Sequence, residues 1–278
     1  MAITDQTVVI TGAGSGIGRA LAIDASRRGY EVALIGRRRE TLVETQRALH
    51  RPQSSLVVVA DVTTPEGRAL VRQQIAESWG RLTFLVNNAG IVAAGPLSGL
   101  SDAELDRLVA TNLTAPIALT RELLPLLYAA RPARVVNIGS LAGEIALPLF
   151  SAYSATKFGL RGLSKALRLE LKSLGIGVTY AAPSGVQTGA AEAVEPALAA
   201  LRMQVCATPV AVAGRIWDAV SRGADSVYSA GAERWLVTIE RLAPALIRRA
   251  LARRLKASGP RRLRRRVSLS SLTNQPRL

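Results

Sequence analysis

The chain of 278 residues has very few of the side chains that build disulfide frameworks or metal centres. It contains one cysteine, Cys206, and one histidine, His50. A lone cysteine cannot close a disulfide within the chain, and neither residue has a cluster of further metal ligands near it in the sequence. A disulfide-built fold and a Cys/His metal site are therefore excluded. We expect Cys206 to be a packed thiol and His50 to lie in a surface connection.

Long apolar runs are also missing. No segment approaches the run of about 18 apolar residues that a membrane-spanning helix requires. Residues 1–6 lack the basic stretch and apolar core of a secretory signal. These absences predict a cytoplasmic protein. A position at the inner face of the membrane would depend on the C-terminal segment. Hydrophobic residues still make up 49% of the chain, which is enough for one large core.

Carboxylates are scarce, above all at the C-terminal end. The chain holds 20 Asp and Glu against 36 Lys and Arg, which gives a net charge of +16. Residues 232–278 account for +11 of this charge, with 13 basic and two acidic side chains. The excess charge therefore belongs to a C-terminal extension and not to the body of the chain. We divide the chain into a body at residues 1–231, a basic helical extension at residues 232–257 and a basic tail at residues 258–278.

Short apolar segments alternate with helical patterns along the body. The strand-like segments cover residues 7–11, 31–36, 56–61, 83–87, 134–139 and 177–182. The helical patterns cover residues 19–29, 40–49, 65–79, 101–128 and 153–174. Strands that are apolar on both faces and alternate with helices are typical of a parallel sheet covered on both sides. The sequence thus predicts an α/β fold, a single Rossmann-type doubly wound parallel sheet that binds ligands at the carboxyl ends of its strands.

A glycine-rich turn, Thr11-Gly-Ala-Gly-Ser-Gly-Ile-Gly18, joins the first strand to the first helix. At such a turn, glycine lets the backbone approach a pyrophosphate, and the helix N-terminus favours its negative charge. The spacing differs from G-x-G-x-x-G and fits T-G-x-x-x-G-x-G instead. The expected phosphate contacts are Gly12, Ser15, Gly16, Ile17 and Gly18.

This turn resembles the fingerprint of the short-chain dehydrogenase/reductase family, and further family motifs follow in the family's order over residues 7–190. They are Asp61 at the end of a strand, Asn87-Asn-Ala-Gly90, Asn112 in Thr-Asn-Leu, Ser140, and Tyr153-Ser-Ala-Thr-Lys157. The resemblance implies an oxidoreductase that binds a nicotinamide dinucleotide. The residues that it places beside the adenosine part of the cofactor are Asp61, Val62, Asn88, Ala89 and Gly90. Those that it places beside the nicotinamide are Pro183, Val186 and Thr188.

The sequence departs from the family pattern after the sixth strand. The family usually shows P-G-x-x-x-T there, whereas this chain has Pro183-Ser-Gly-Val-Gln-Thr188. Ser184 replaces the first glycine, and Gly185 follows directly. The path of the backbone around Ser184 therefore stays open at the level of the sequence.

Tyr153 and Lys157 are four residues apart, so on a helix they share a face and can address one substrate. A free phenol has a pKa of about 10, and we expect the neighbouring ammonium to lower the pKa of Tyr153. Tyr153 would then exchange a proton with a substrate oxygen that also accepts a hydrogen bond from Ser140. The resemblance adds Asn112 as the holder of a water that returns protons to Lys157, and it gives Tyr153 and Lys157 cofactor contacts. The alternative is that Tyr153 is an ordinary packed ring and Lys157 a solvated amine, with no catalytic role for either.

The choice of cofactor depends on the end of the second strand. An acid at this place would accept hydrogen bonds from the ribose hydroxyls of NAD, but here Gly36 is followed by Arg37-Arg-Arg39. No carboxylate repels a 2′-phosphate, and a guanidinium can bind one in a bidentate manner. We predict NADP(H), with Arg37 as the first contact and Arg38 as the second. The alternative is a solvated basic start to a helix.

The segment that follows Thr188 is rich in small and apolar side chains up to Met203. The resemblance implies that this segment folds over the substrate. Together with Leu147, Leu149 and Phe150 it favours a lipophilic substrate. A packed core would show the same composition, so this interpretation remains open.

The C-terminal extension has a helical pattern over residues 233–256. One side of this helix is an apolar arc, and the opposite side is largely basic. Arg254 falls inside the arc. The arc consists of Leu246, Ile247, Ala250, Leu251 and Leu255. A basic amphipathic helix favours a peripheral membrane contact, and a helix docked on the sheet or on another subunit is the alternative. Nucleic acid is the less favoured partner. Residues 258–278 are expected to be a disordered basic tail.

The leading hypothesis is an NADP(H)-dependent oxidoreductase that transfers a hydride to or from a carbonyl or alcohol carbon of a lipophilic substrate. One alternative is a 3-oxoacyl-thioester reductase of the same family, whose acidic carrier protein the basic surface would attract. Another is a binding protein that senses NADP(H) without turnover. By resemblance, the helices near residues 101–128 and 153–174 predict a homo-oligomer, a dimer or a tetramer.

Overall fold

The computed structural model describes residues 6–229 and 231–257, which form one seven-stranded parallel sheet and the helices around it. The strands lie in the order β3-β2-β1-β4-β5-β6-β7. Their bounds are β1 Thr7–Thr11, β2 Glu31–Gly36, β3 Ser55–Val59, β4 Phe84–Asn87, β5 Ala133–Ile138, β6 Ile176–Ala182 and β7 Ser226–Tyr228. The fold is the doubly wound α/β arrangement predicted from the sequence.

Helices cover both faces of the sheet. Their bounds are α1 Gly16–Arg27, α2 Arg39–Arg47, α3 Pro65–Trp79, α4 Asp102–Val109, α5 Ala115–Ala129, α6 Ser151–Glu170, α7 Gly189–Ala193, α8 Glu195–Ala200, α9 Pro209–Ser221, α10 Gly231–Leu242 and α11 Pro244–Ala257. One core layer packs α1 and α9 against the sheet, and the opposite layer packs α3 and α5. All residues of β1 and β4 are buried because both faces of the sheet are covered.

Three elements differ from the sequence prediction. Strand β7 was missed because it has only three residues, too few to show a period. The pattern over residues 101–128 is two helices, separated by a π-helical turn at Ala110–Thr114. The pattern over residues 233–256 is also two helices, because Pro244 has no N–H with which to continue α10 and instead begins α11.

Strand β1 pairs with β2 on one side and with β4 on the other. Successive strands are therefore added in one direction from β1 to β3 and in the opposite direction from β4 to β7. In a doubly wound sheet, this switch point opens a crevice at the carboxyl ends of the strands. The glycine-rich turn leaves β1 at that end. The sheet therefore brings the glycine-rich turn and the carboxyl ends of β4 and β5 together at the same end of the sheet.

A buried polar network joins the strands behind this crevice. The amide nitrogen of Asn87 donates to the Thr120 hydroxyl at 3.0 Å and to the Asn137 amide oxygen at 2.8 Å. Asn137 in turn donates to Ser164 Oγ at 2.9 Å. Because every buried amide needs partners, these bonds fix the positions of β4, β5, α5 and α6 relative to one another.

The C-terminal helices pack on the body of the chain. Ile247, Leu251 and Leu255 join a cluster with buried apolar residues such as Leu141 and Phe150. Arg254, which the pattern placed inside the apolar arc, donates to the carbonyl oxygen of Leu201 at 3.3 Å. Leu246 and Ala250 are exposed, so the predicted arc is only partly buried. The expected tail at 258–278 lies outside the described residues.

The expectation that Cys206 is a packed thiol is wrong, because its side chain is exposed in the loop before α9. His50 is exposed in the connection between α2 and β3, as expected. Within residues 6–229 and 231–257, no helix combines the length and apolarity needed to cross a bilayer.

Trp217 of α9 offers a test of the core. Its side chain is 1% exposed, packs edge-on against Tyr30 and Phe84, and donates from Nε1 to the carbonyl oxygen of Leu21 at 3.0 Å. We expect Trp217→Ala to lower the free energy of unfolding by about 3–5 kcal/mol in urea denaturation. The same change at Trp235, which is 73% exposed, is the control and should stay within about 0.5 kcal/mol of wild type. Equal effects at the two positions would contradict this packing.

Candidate functional site

The glycine-rich turn adopts a conformation that side chains would prevent. Gly12 and Gly16 have φ angles of 66° and 53°, in the left-handed region. A Cβ atom on Gly18 would lie 2.2 Å from the carbonyl oxygen of Gly12 and 2.4 Å from Nδ2 of Asn88. The three positions of the T-G-x-x-x-G-x-G pattern are therefore glycine for steric reasons.

Thr11 and Asn88 bind the ends of β1 and β4 to each other. The Thr11 hydroxyl oxygen accepts from the backbone N–H groups of Asn88 and Ala89, both at 2.9 Å, and donates to the carbonyl oxygen of Val86. The side chain of Asn88 donates to the carbonyl oxygens of Thr11 and Gly12, at 2.8 and 3.3 Å. Asn88 therefore supports the turn from behind, and its amide is occupied by these bonds.

The N-terminus of α1 fits a pyrophosphate. Its N-cap residue, Ser15, makes no side-chain bond to the first turn of the helix. A Cβ atom on Gly16 would meet the methyl group of Thr188 at 3.2 Å, so Thr188 lies across the turn from the helix end. A dinucleotide phosphate held here by Gly16, Ile17 and Gly18 would gain the helix dipole and free N–H donors.

The end of β2 carries the predicted ribose contacts. Arg37 and Arg38 are exposed, and a guanidinium nitrogen of Arg37 lies 3.9 Å from a carboxylate oxygen of Asp61. Asp61 also accepts from the backbone N–H and the hydroxyl of Thr63, at 3.0 and 2.7 Å. Val62 is buried directly after it. Asp61 is thus held at the edge of the crevice by its own turn, with Arg37 opposite.

Ser140 and Tyr153 are brought together by the end of β5 and the first turn of α6. The Ser140 hydroxyl lies beside the Tyr153 phenol and acts on its pKa as a hydrogen-bonding neighbour. Ser140 Oγ also accepts from the backbone N–H of Ala142 at 3.1 Å, which fixes its rotamer. A substrate oxygen placed between the two hydroxyls would meet two hydrogen-bonding groups held in fixed positions.

Lys157 lies on the same face of α6 and is 4% exposed. Its Nζ atom donates to the carbonyl oxygen of Ile138 at 3.1 Å and lies 5.7 Å from the centre of the Tyr153 ring. Burial lowers the pKa of this ammonium from 10.5 to about 8. The interpretation of Lys157 as a solvated amine is therefore wrong.

The expected effect of Lys157 on Tyr153 is not observed. Burial raises the pKa of the Tyr153 phenol above its usual value, and the hydrogen bond from Ser140 only partly opposes this change. The removal of water penalises the charged phenolate more than the nearby groups stabilise it. In this structure Tyr153 is a neutral phenol that can donate a proton.

Asn112 lies in the π-helical turn between α4 and α5 and is fully buried. It exchanges two hydrogen bonds with the backbone of Ile91, at 2.8 and 2.9 Å, and donates to Thr156 Oγ1 at 3.2 Å. A Cβ atom on Gly90 would lie 3.3 Å from Asn112 Oδ1 and 3.5 Å from Lys157 Nζ. Glycine at position 90 thus leaves open the space where Asn112 and Lys157 meet, and π-helical turns recur at functional sites.

The loop after β6 resolves the departure at Ser184. The left-handed residue is Gly185, with a φ of 52°, so Ser184 needs no glycine-like conformation. The backbone N–H of Ser184 donates to Ser229 Oγ at 3.1 Å, and its hydroxyl donates to the carboxylate of Glu233 in α10. Val186 is buried and Thr188 caps α7, so the predicted nicotinamide contacts lie on a loop fixed at several points.

Tyr180 is a residue of the site that sequence reasoning missed. Its ring is 2% exposed in β6, and its hydroxyl contacts the backbone of Ser140 and the carbonyl oxygen of Lys157 at 3.3–3.4 Å. A Cβ atom on Gly139 or Gly143 would lie 2.2–2.3 Å from this side chain. Tyr180 therefore joins the loop that carries Ser140 to the helix that carries Lys157.

A second feature that the sequence did not reveal is a buried charge cluster around Glu144. Its carboxylate, 2% exposed, pairs with Arg161 of α6 at 2.9 Å and with Arg241 of α10 at 3.1 Å. Together with the Ser184–Glu233 hydrogen bond, this cluster ties α10 to both loops of the site. Pairing with two guanidinium groups is what permits a carboxylate to be buried here.

The residues expected to line a lipophilic pocket form one apolar cluster with Tyr153. The cluster includes Leu147, Phe150, Val194, Leu198, Leu201 and Met203, together with Val237 of α10. Leu149, beside Phe150, has a φ of 67°, which costs about 1 kcal/mol or more in a residue with a side chain. The carbonyl oxygen of Leu149 accepts a hydrogen bond from the backbone N–H of Gly95 at 2.7 Å. The wall next to Tyr153 is apolar and contains local strain.

Comparisons with known proteins show the family of the chain. A sequence model of the short chain dehydrogenase family matches residues 6–199. The ketoacyl reductase HetN of Nostoc sp. is 32% identical over 220 residues, which cover 78% of this chain and 76% of that protein. The 3-ketodihydrosphingosine reductase of Bos taurus is 31% identical over 194 residues, 68% of this chain and 58% of that protein. The chain thus spans just over half the length of the bovine reductase.

A solved structure shows the same fold over nearly the whole chain. The crystal structure of a short-chain dehydrogenase from Streptomyces avermitilis superposes with a TM-score of 0.77 and 30% sequence identity, covering 91% of this chain and 97% of that one. The family match extends over the glycine-rich turn, Ser140, Tyr153 and Lys157. This chain belongs to the short-chain dehydrogenase/reductase family of oxidoreductases.

Proposed function

We propose that this protein is an NADP(H)-dependent oxidoreductase that interconverts a ketone and an alcohol on a lipophilic substrate, with Ser140, Tyr153 and Lys157 as its catalytic residues and Asn112 as a positioning residue. The observation that carries the proposal is that Tyr153 lies beside Ser140, and Lys157 and Asn112 both border Gly90, at the carboxyl ends of the strands where the glycine-rich turn lies.

Each protein group has a defined task in this proposal. The bound nicotinamide would supply or accept the hydride. Tyr153 donates its phenolic proton to the substrate oxygen during reduction, because burial keeps the phenol neutral. Ser140 donates a hydrogen bond to the same oxygen as negative charge develops on it. Lys157, with its pKa lowered to about 8, would return a proton to the Tyr153 phenolate that this step leaves, and solvent would reprotonate Lys157 along the space beside Asn112 and Gly90.

Tyr153→Phe tests the proton donor. We expect turnover of ketones with NADPH, followed at the nicotinamide absorbance, to fall by a factor of about 10²–10⁴ because the ring keeps its packing but loses the proton. NADPH binding, measured by fluorescence titration, should remain. Tyr128→Phe removes a half-exposed hydroxyl on α5 and should leave turnover unchanged. Full turnover by the Tyr153 variant would remove Tyr153 from the mechanism.

Lys157 can be tested through stability as well as through activity. Between pH 8 and 10.5 the unfolded chain holds a proton on Lys157 that the folded chain has released. The unfolded state therefore binds more protons in this interval, and the stability that Lys157 contributes rises with pH. We expect the free energy of unfolding of wild type, relative to Lys157→Met, to increase across the interval at a slope approaching about 1.4 kcal/mol per pH unit.

Urea denaturation at several pH values measures this slope. Lys165→Met, on the exposed side of the same helix, is the matched control. A difference between wild type and Lys157→Met that does not change with pH would show that the buried environment of Lys157 has been assigned wrongly.

The preference for NADP(H) rests on the end of β2. Arg37 is 67% exposed and close to the ribose end of the crevice, and Gly36 stands where an acid would favour NAD. Among the described residues, the only carboxylate partner of Arg37 is Asp61, and the 3.9 Å between the two groups is close to the upper limit for an ion pair. An incoming 2′-phosphate could therefore compete for the guanidinium of Arg37, with that of Arg38 beside it.

Arg37→Ala should weaken NADPH binding by about 10- to 100-fold, because it removes charge-assisted hydrogen bonds to the 2′-phosphate. NADH binding should not change. Fluorescence titration with both nucleotides gives the two affinities, and Arg47→Ala, at the other end of α2, controls for the loss of an exposed charge. Equal loss of both affinities, or tighter binding of NADH than of NADPH by wild type, would argue for NAD.

A lipophilic substrate is supported by the apolar cluster beside Tyr153. It is also supported by two relatives whose names describe reduction of a ketoacyl group and of 3-ketodihydrosphingosine. The first name keeps a 3-oxoacyl thioester as the specific alternative substrate. By the same resemblance we propose a homo-oligomer formed through α5 and α6, where the apolar side chains of Ile117, Phe158 and Leu169 are exposed.

A further inference from the structure

Helix α10 is attached to the body of the chain partly through charged side chains, and several of its apolar side chains are exposed. The residues at positions 233, 237 and 241 share the face turned towards the body. Glu233 bonds to Ser184, Val237 is buried, and Arg241 pairs with Glu144. Two of the three inward residues are thus charged. A helix that docks with charged side chains leaves its apolar ones elsewhere.

The apolar side chains of α10 are on the outside. Trp235 is 73% exposed and Leu242 81% exposed, and Leu236 and Ile239 also face solvent. Leu246, 57% exposed, lies in the first turn of α11, directly after the break at Pro244. We call these five residues the α10 face. Single exposed apolar residues are common, but a contiguous stripe with a tryptophan marks a surface that binds something.

The charges around the α10 face restrict its partner. Arg234, Arg248, Arg249 and Arg253 are exposed on the two helices. The only carboxylates in residues 231–257 are Glu233, which is buried and bonded to Ser184, and Glu240, which is half-buried. A second copy of this chain would bring like charges to the contact, which disfavours self-association. The partner that matches is apolar inside and anionic at its surface.

We propose that the α10 face is the contact of this protein with the surface of a bilayer that contains anionic phospholipids. Trp235 and the leucines enter the boundary between headgroups and acyl chains, where the indole ring is favoured because it has an apolar body and a polar N–H. The exposed arginines bind the lipid phosphates. Ile247, Leu251 and Leu255 of the arc predicted from the sequence are docked on the body, so the contact uses a different face. The proposal does not depend on the proposed enzymatic function.

Co-sedimentation of the full-length chain with vesicles tests the contact. We expect retention on vesicles of phosphatidylcholine mixed with phosphatidylglycerol, weak retention on phosphatidylcholine alone, and loss of retention at high salt. The double variant Trp235→Ser/Leu242→Ser should bind the mixed vesicles at least about 10-fold more weakly. Val210→Ser, a change at a side chain 68% exposed on α9, is the matched control and should bind as wild type does.

The intrinsic fluorescence of Trp235 gives a second measurement that needs no destabilising change. Of the three tryptophans, Trp217 is buried and Trp79 is half-buried, so Trp235 is the one most open to lipid. Mixed vesicles should shift its emission to shorter wavelength, brominated lipids should quench it, and Trp235→Phe should abolish both effects. Equal vesicle binding by wild type and the double variant would place any contact elsewhere and overturn the proposal. So would the absence of wild-type binding, or a change of oligomeric state in the double variant without a change in vesicle binding.

Discussion

The junction between β1 and β4 is the constraint on which the whole site depends. Strands β2 and β3 lie on one side of this pair and β5, β6 and β7 on the other, so the two halves of the sheet meet only here. Thr11 and Asn88 hold the junction with both backbone and side-chain hydrogen bonds. The glycine-rich turn closes against Asn88, and the strands that lead to Ser140 continue from β4. A shift of one strand end at this point would move the proposed cofactor cradle away from the proposed catalytic groups.

Low polarity governs the chemistry on the other side of the junction. Burial raises the pKa of Tyr153 and lowers that of Lys157, so the environment favours the neutral form of both groups. A neutral phenol suits the proposed role of proton donor, and a lysine whose ammonium is disfavoured can pass its proton on. The site opposes the phenolate that spacing alone suggested. Tyr180 and the Glu144 cluster keep these groups in place by contacts to backbone and to paired charges, which leave the hydroxyls of Ser140 and Tyr153 available.

The alternation of buried strands with helices and the glycine-rich turn could be predicted because they depend on local patterns. Buried parallel strands are apolar throughout, and left-handed turns at Gly12 and Gly16 require glycine whatever surrounds them. The sign of the pKa change at Tyr153 could not be predicted, because it depends on how completely distant segments exclude water. The position of Tyr180 was equally hidden, since a tyrosine in a strand looks like ordinary core until its hydroxyl is seen against Ser140 and Lys157. The docked face of the C-terminal helices was predicted only in part, because a helical wheel does not show that α10 docks through charges.

The attachment of α10 has a consequence for how such a chain can change over time. Glu233 and Arg241, which anchor this helix to the loops of the site, lie beyond residues 6–199, the span matched by the sequence model of the family. The wall beside Tyr153 is thus completed by a segment outside that span, because Val237 of α10 belongs to the same apolar cluster as Tyr153. Substitutions that move α10 would therefore alter this wall and leave the glycine-rich turn and the pair Tyr153 and Lys157 in place. What the site admits can thus be changed through the attachment of a distant helix, separately from the groups that face the substrate oxygen.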